Sequence, residues 1–158
     1  MDSEKTKMYA ARVCQANRSE LVVIIYELML DSIGEAREAF EQGEEEAAVT
    51  ELRRAQGCLQ EMRGSLDFKY GVSHRLVKLY RYVNEQFAHS IARRRDVNLD
   101  SCERVLQGLM SSFDEVAKQD TSNAVMGGSQ QVYAGLTYGR GSLNEIAVDA
   151  RSAGKSFL

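Results

Sequence analysis

No proline occurs anywhere in the 158 residues, and that omission constrains the fold more than any residue present. Proline breaks a helix interior by removing a backbone donor and clashing with the preceding turn. With so few breakers in the body of the chain, long uninterrupted helices are the expectation.

The most apolar stretch, "LVVIIYELML" from Leu21 to Leu30, carries Glu27 as its only charge. A membrane span needs roughly 20 apolar residues in a row. This run reaches half of that before "DSIGEAREAFEQGEEE" follows with acids, so it is not a span. The apolar pattern continues through Ile33, Ala36 and Phe40 at spacings of three and four. A strand has a period of two and would not run on in that register, so the spacing predicts one helix over about residues 18–42. Asn17 is placed to cap it, with Glu20 reaching back in a variant of the capping box. A first half that is apolar nearly all round means enclosure by neighbouring helices.

Three more amphipathic segments follow. Ala48, Leu52, Ala55, Leu59, Met62 and Leu66 recur in a 4-3-4-3-4 seam, which suits packing against another helix. Leu76, Leu79, Tyr80, Val83, Phe87 and Ile91 share a stripe that ends in Arg93, Arg94 and Arg95, where positive charge suits a helix C-terminus. Leu99, Cys102, Leu106, Leu109, Phe113 and Val116 form the last, with Asp100 and Glu103 as its expected cap pair. Four such helices joined by short connections make an all-α, antiparallel four-helix bundle the favoured architecture.

Two domains of different texture are expected, a helical body over residues 1–119 and an extension over 120–158. "DTSNAVMGGSQQVYAGLTYGRGS" reads as a mobile linker, rich in Gly and small polar residues. Ser142 and Glu145 then precede a short amphipathic segment that needs something to dock against. Carried on such a linker, it is placed to fold back onto the body as an intramolecular competitor.

The chemistry of an enzyme is missing from the pattern. There is no nucleophile elbow, no phosphate-binding glycine loop closed by Lys-Ser/Thr and no H-E-x-x-H, so no catalytic residue, cofactor or metal site is assigned. "YGRGS" follows no strand, and Glu44, Glu45 and Glu46 read as a solvated helix start. Cys14, Cys58 and Cys102 are odd in number and far apart, without ligand spacing to His74 or His89. Reduced thiols in a cytoplasmic protein fit them best. The opening residues carry no apolar signal core. A net charge of −3 gives no electrostatic reason to expect nucleic acid or anionic lipid. A basic stripe, Arg75, Lys78 and Arg81, reads first as a solvated helix face. Tyrosines on or near helices with wide apolar stripes, such as Tyr9, Tyr26 and Tyr80, suit groove edges that keep a hydroxyl wet.

Helix order and residues together resemble the flagellin-specific export chaperones, the FliS family. "MYAARVCQANRSELVVIIYELMLDSI" resembles the family's opening at Tyr9, Val13, Glu20-Leu21 and Ile25-Tyr26. "MRGSLDFKYGVSHRLVKLYRYV" matches its Leu-Asp, Gly and Leu-x-x-Leu-Tyr-x-Tyr at Leu66-Asp67, Gly71, Leu76, Leu79-Tyr80 and Tyr82. "CERVLQGLMSSFDEV" is similar to the last bundle helix, with Phe113 where the family often has Trp. The chain departs from the pattern at Arg18, a common Pro in the family, at "FKYGVS", and in the length of residues 120–158. The resemblance implies a cytoplasmic, non-enzymatic chaperone. Such a protein holds the C-terminal segment of flagellin, prevents early polymerisation and presents its client to the export apparatus. It also implies client contacts at Tyr9, Val13, Tyr26, Leu76, Leu79, Tyr80 and Val83. The alternative is a helical adaptor or regulatory bundle of a secretion system with another client.

Overall fold

The computed structural model describes residues 1–126, and every described element is a helix. There are five rather than four: α1 (Ser3–Gln15), α2 (Arg18–Glu41), α3 (Glu45–Gly64), α4 (Gly71–Arg93) and α5 (Leu99–Gln119). The expected capping box opens α2. The Asn17 side chain accepts from the Glu20 amide, and the Glu20 carboxylate accepts from the Asn17 amide, both at 2.9 Å. α2 closes in a Schellman turn, in which Gly43 donates to the Phe40 carbonyl and Glu44 to that of Ala39. Gly43 takes the left-handed φ of 76° that this turn requires.

α2 to α5 enclose one core. α2 packs on both α3 and α5, and α4 bridges α3 and α5. Tyr26, Met29, Ile33, Leu52, Leu59, Tyr80, Val83, Phe87, Leu99 and Leu106 are its largest apolar members, all fully or nearly fully buried. The α3 seam is closed from Ala48 to Met62, each large side chain contributing about 1.5–3 kcal/mol of apolar burial.

The connection to α5 is capped differently from expectation. Asp96, not the Asp100–Glu103 pair, accepts from the Leu99 amide at 3.0 Å. Asp96 and Glu103 also bind Arg37 on α2. Inside this turn the buried Ser90 hydroxyl accepts from the Val97 amide. These bonds draw the end of α4, the turn and the start of α5 onto one end of α2.

α1 is the helix that periodicity did not announce. It lies against α2 through a small cluster of Tyr9, Ala16 and Ile24, with Val13, Leu21 and Leu28 packed around it. Much of its attachment is polar. The Tyr9 hydroxyl donates to Asp31 at 2.8 Å, Lys5 to Glu35 at 3.2 Å, and Arg12 pairs with Glu27. Met1, ahead of the helix, extends the attachment, its ammonium meeting both Glu35 and Glu51 at 2.9 Å.

The first residues of the expected linker are tied down. The Val125 amide donates to the Ala16 carbonyl at 3.1 Å. The Asn17 amide group reaches the carbonyls of Asp120 and Ser122, and the Ser19 hydroxyl donates to the Asp120 carboxylate. A strap thus crosses the α1–α2 junction. The Ser142–Glu145 cap, "YGRGS" and the folded-back segment fall outside the described residues.

Candidate functional site

The α4–α5 seam is closed at one end and open at the other. Near the connecting turn, Tyr82 donates to Ser101 and Asn98 to Gln86. No further hydrogen bond joins these two helices among the described residues. In the antiparallel register those bonds set, Leu79 stands level with Arg104 and Val105, and Val72 with Ser111 and Ser112. Along this stretch Val72 is 58% exposed, Leu79 36% and Val116 56%, while Leu109, Met110 and Phe113 are half-buried. Leu76 and Tyr80 lie beneath them in the core. Phe113 also stacks on Tyr26, with centroids 5.5 Å apart. The result is an apolar groove with an aromatic floor.

A second depression of about 360 Å³ lies on the other side of α5, between α1, α2 and Ala117. Ala16, Val23 and Ile24 line it, and Arg12, Glu20, Glu27 and Asp114 form a charged rim. The C-terminal half of α5 therefore has an apolar recess on each flank.

The residues singled out from the sequence separate into three groups. Tyr26, Tyr80 and Val83 are fully buried, and Leu76 nearly so. Tyr26 and Tyr80 share a hydrogen bond of 2.5 Å between their hydroxyls. Burial foremost raises both above the ordinary tyrosine range, so they stay neutral partners. Tyr9 and Val13 sit on α1 facing α2, and burial together with Asp31 raises Tyr9 as well. Leu79 alone of the seven is exposed in the groove. Val72, Leu109 and Val116 join it there. For Leu109 and Val116 the signal in the sequence is an α5 stripe that runs past the point where α4 covers it; Val72 lies on α4 and belongs to no such stripe.

Reactive chemistry is not brought together here. Burial pushes the Cys102 thiol up to about 12 and raises that of Cys58, which leaves both poor nucleophiles. Among the described residues no three metal-ligating side chains converge, and no helix is long and apolar enough to cross a membrane.

A helical bundle with an open apolar seam is an architecture that can receive a segment of another chain. Over residues 2–120 the chain matches the family described as "Flagellar protein FliS", and it belongs to that family of flagellar export chaperones. No curated protein matches the chain.

Proposed function

We propose that this protein is a cytoplasmic chaperone for flagellin that holds the client's C-terminal segment and keeps it from polymerising before export. The observation that carries this reading is the half-open α4–α5 groove, where Val72, Leu79 and Val116 are exposed and Leu109 and Phe113 only half-buried among the described residues. A disordered segment with spaced apolar residues gains by covering such a groove and folding against it, giving large area at modest affinity. Leu79 is the contact of the original seven that meets the client directly. Tyr26, Leu76, Tyr80 and Val83 support the floor. Tyr9 and Val13 become available only where α1 lifts from α2. The apolar recess on the far flank of α5 extends the surface a wrapping client would follow, and the export apparatus receives the loaded complex.

Calorimetry with a peptide from the C-terminus of the cognate flagellin tests the assignment. Leu79→Asp combined with Val116→Asp should weaken binding at least about tenfold, since each puts a charge into a desolvated contact. Melting should hardly move, because both side chains are already exposed. Unchanged binding in the double variant would remove the groove from the client site. No binding by the unaltered protein would favour an adaptor with a different client.

A further inference from the structure

The flank of α4 that faces α3 carries a second surface, separate from the α4–α5 groove. Between residues 63 and 82 there are five cations, Arg63, Lys69, Arg75, Lys78 and Arg81, and one acid, Asp67. The whole chain has net charge −3, so everything outside this stretch sums to −7. All five cations are exposed. None enters an ion pair among the described residues, although ion pairs engage cations on α1, α2, α3 and α5 and Arg94 just past the end of α4. The single acid is occupied with its own turn: its carboxylate accepts from the Lys69 amide at 3.0 Å, and its carbonyl from Ser73 at 2.6 Å. Arg75, three residues after Val72 and four before Leu79, turns toward α5, and Glu85 follows Arg81 by four without pairing with it, so Arg63, Lys69, Lys78 and Arg81 are the like charges left to repel around this surface.

Apolar surface coincides with that charge. Phe68 and Tyr70, in the turn before α4, are 50% and 66% exposed. The Phe68 ring rests on His74, centroids 5.4 Å apart. Next to it Gln60, Arg63, Gly64, Phe68 and Val77 line a shallow depression of about 320 Å³ between α3 and α4. His74, Lys78 and Arg81 follow at spacings of four and three, so they form one stripe on the outward side of α4, which borders the depression at Arg81. Val72 and Leu79 lie on the opposite flank, toward α5, where Tyr82 bonds Ser101.

We infer that this α3–α4 face docks an acidic segment of a partner protein, one that places a bulky apolar side chain in the depression and its carboxylates on Arg63, Lys78 and Arg81. Charge complementarity selects an acidic occupant, and the pit selects a protein segment over a lipid surface. A bilayer offers no single anchor to a recess, and Phe68, half exposed, rests its ring on His74 at the edge of that recess. Electrostatic complementarity of this kind sets orientation and association rate and is weakened by salt.

The test uses the full chain and two short synthetic peptides, one of Asp and Glu flanking a central Phe and Leu, the other its Asn and Gln counterpart. Nuclear magnetic resonance maps the site and fluorescence anisotropy measures affinity. The acidic peptide should bind at least about tenfold more tightly than the neutral one at low salt, losing most of that advantage near 0.5 M. Shifts should centre on Gln60, Gly64 and Val77. Lys78→Glu with Arg81→Glu should abolish the preference, and Phe68→Ala should weaken binding with unchanged charge dependence. Val116→Asp, in the client groove, should leave it intact, which separates this surface from flagellin binding. Equal affinity for both peptides, or shifts centred on the α4–α5 groove, would overturn the inference. So would preferential capture by vesicles containing phosphatidylglycerol, which assigns the face to membranes, or salt-sensitive dimerisation in sedimentation, which assigns it to a second copy.

Discussion

In α5, Leu99, Cys102 and Leu106 are wholly buried, whereas Leu109 and Phe113 are half-buried and Val116 is mostly exposed. One helix and one 3-4-3-4-3 spacing produce both halves. The difference lies in what stands opposite. At the closed end α4, the 94–98 turn and Arg37 from α2 cover the stripe, and at the open end α4 leaves the same stripe uncovered. An apolar stripe therefore becomes core or surface according to its neighbours.

The sharpest way to break this comparison is to truncate the stripe at both ends. Leu106→Ala should cost about 2–5 kcal/mol, because the side chain is wholly enclosed and leaves a cavity. Val116→Ala should change stability by less than about 0.5 kcal/mol. Chemical denaturation measures both. Equal losses would mean that the open end is covered in solution and that no groove exists there.

A smaller effect separates the floor from the walls. Tyr26→Phe leaves the Tyr80 hydroxyl buried without its partner, and Tyr80→Phe does the reverse. Each single change should cost about 1–3 kcal/mol, while the double change should cost less than either, since removing both polar groups leaves nothing unsatisfied. A double-mutant cycle reads the coupling directly. Additive losses would show that the two hydroxyls do not depend on one another.

Gly43 offers a test at the closed end of α2. Its φ of 76° is strained for any side chain, although no atom stands within 4 Å of where a Cβ would lie. Gly43→Ala should therefore cost about 1 kcal/mol through the backbone alone. A neutral result would mean that the Schellman turn has readjusted.

Most of the body was legible because it is held by apolar period. α2 begins at Arg18 and ends at Glu41, within a residue of its expected bounds, and the α3 seam is buried from Ala48 to Met62. α1 was not legible, because Lys5, Tyr9 and Arg12 attach it through charges and a hydroxyl, whose spacing of four and three does not show in an apolar pattern. The α5 cap was misplaced for a related reason: Asp100 and Glu103 have the right spacing, yet Asp96 reaches the Leu99 amide from across a turn. The resemblance motifs marked residues that matter to the fold, but a motif of apolar residues does not distinguish floor from wall. Leu79 and Tyr80 are adjacent in sequence, and one is exposed while the other is sealed.

The smallest expected effect concerns the strap over the α1–α2 junction, which ties the open end of α5 to the foot of α1. Hydrogen bonds from Ser122 and then Ser19 lower the Asp120 carboxyl from 3.8 to about 2. A depressed carboxylate contributes stability above its unfolded pKa, and loses it as pH falls through the folded value. The contribution of Asp120 is thus present above pH 3.8 and disappears between 3.8 and about 2. Carbon-detected titration of the Asp120 carboxyl should give a midpoint near 2 in the unaltered chain and a higher one in Ser19→Ala. At neutral pH the Val125 amide, bonded to Ala16, should exchange faster once Ser19→Ala has loosened the strap. An ordinary midpoint together with an unprotected Val125 amide would mean that the strap is open in solution, and that the end of α5 is not coupled to α1 by this route.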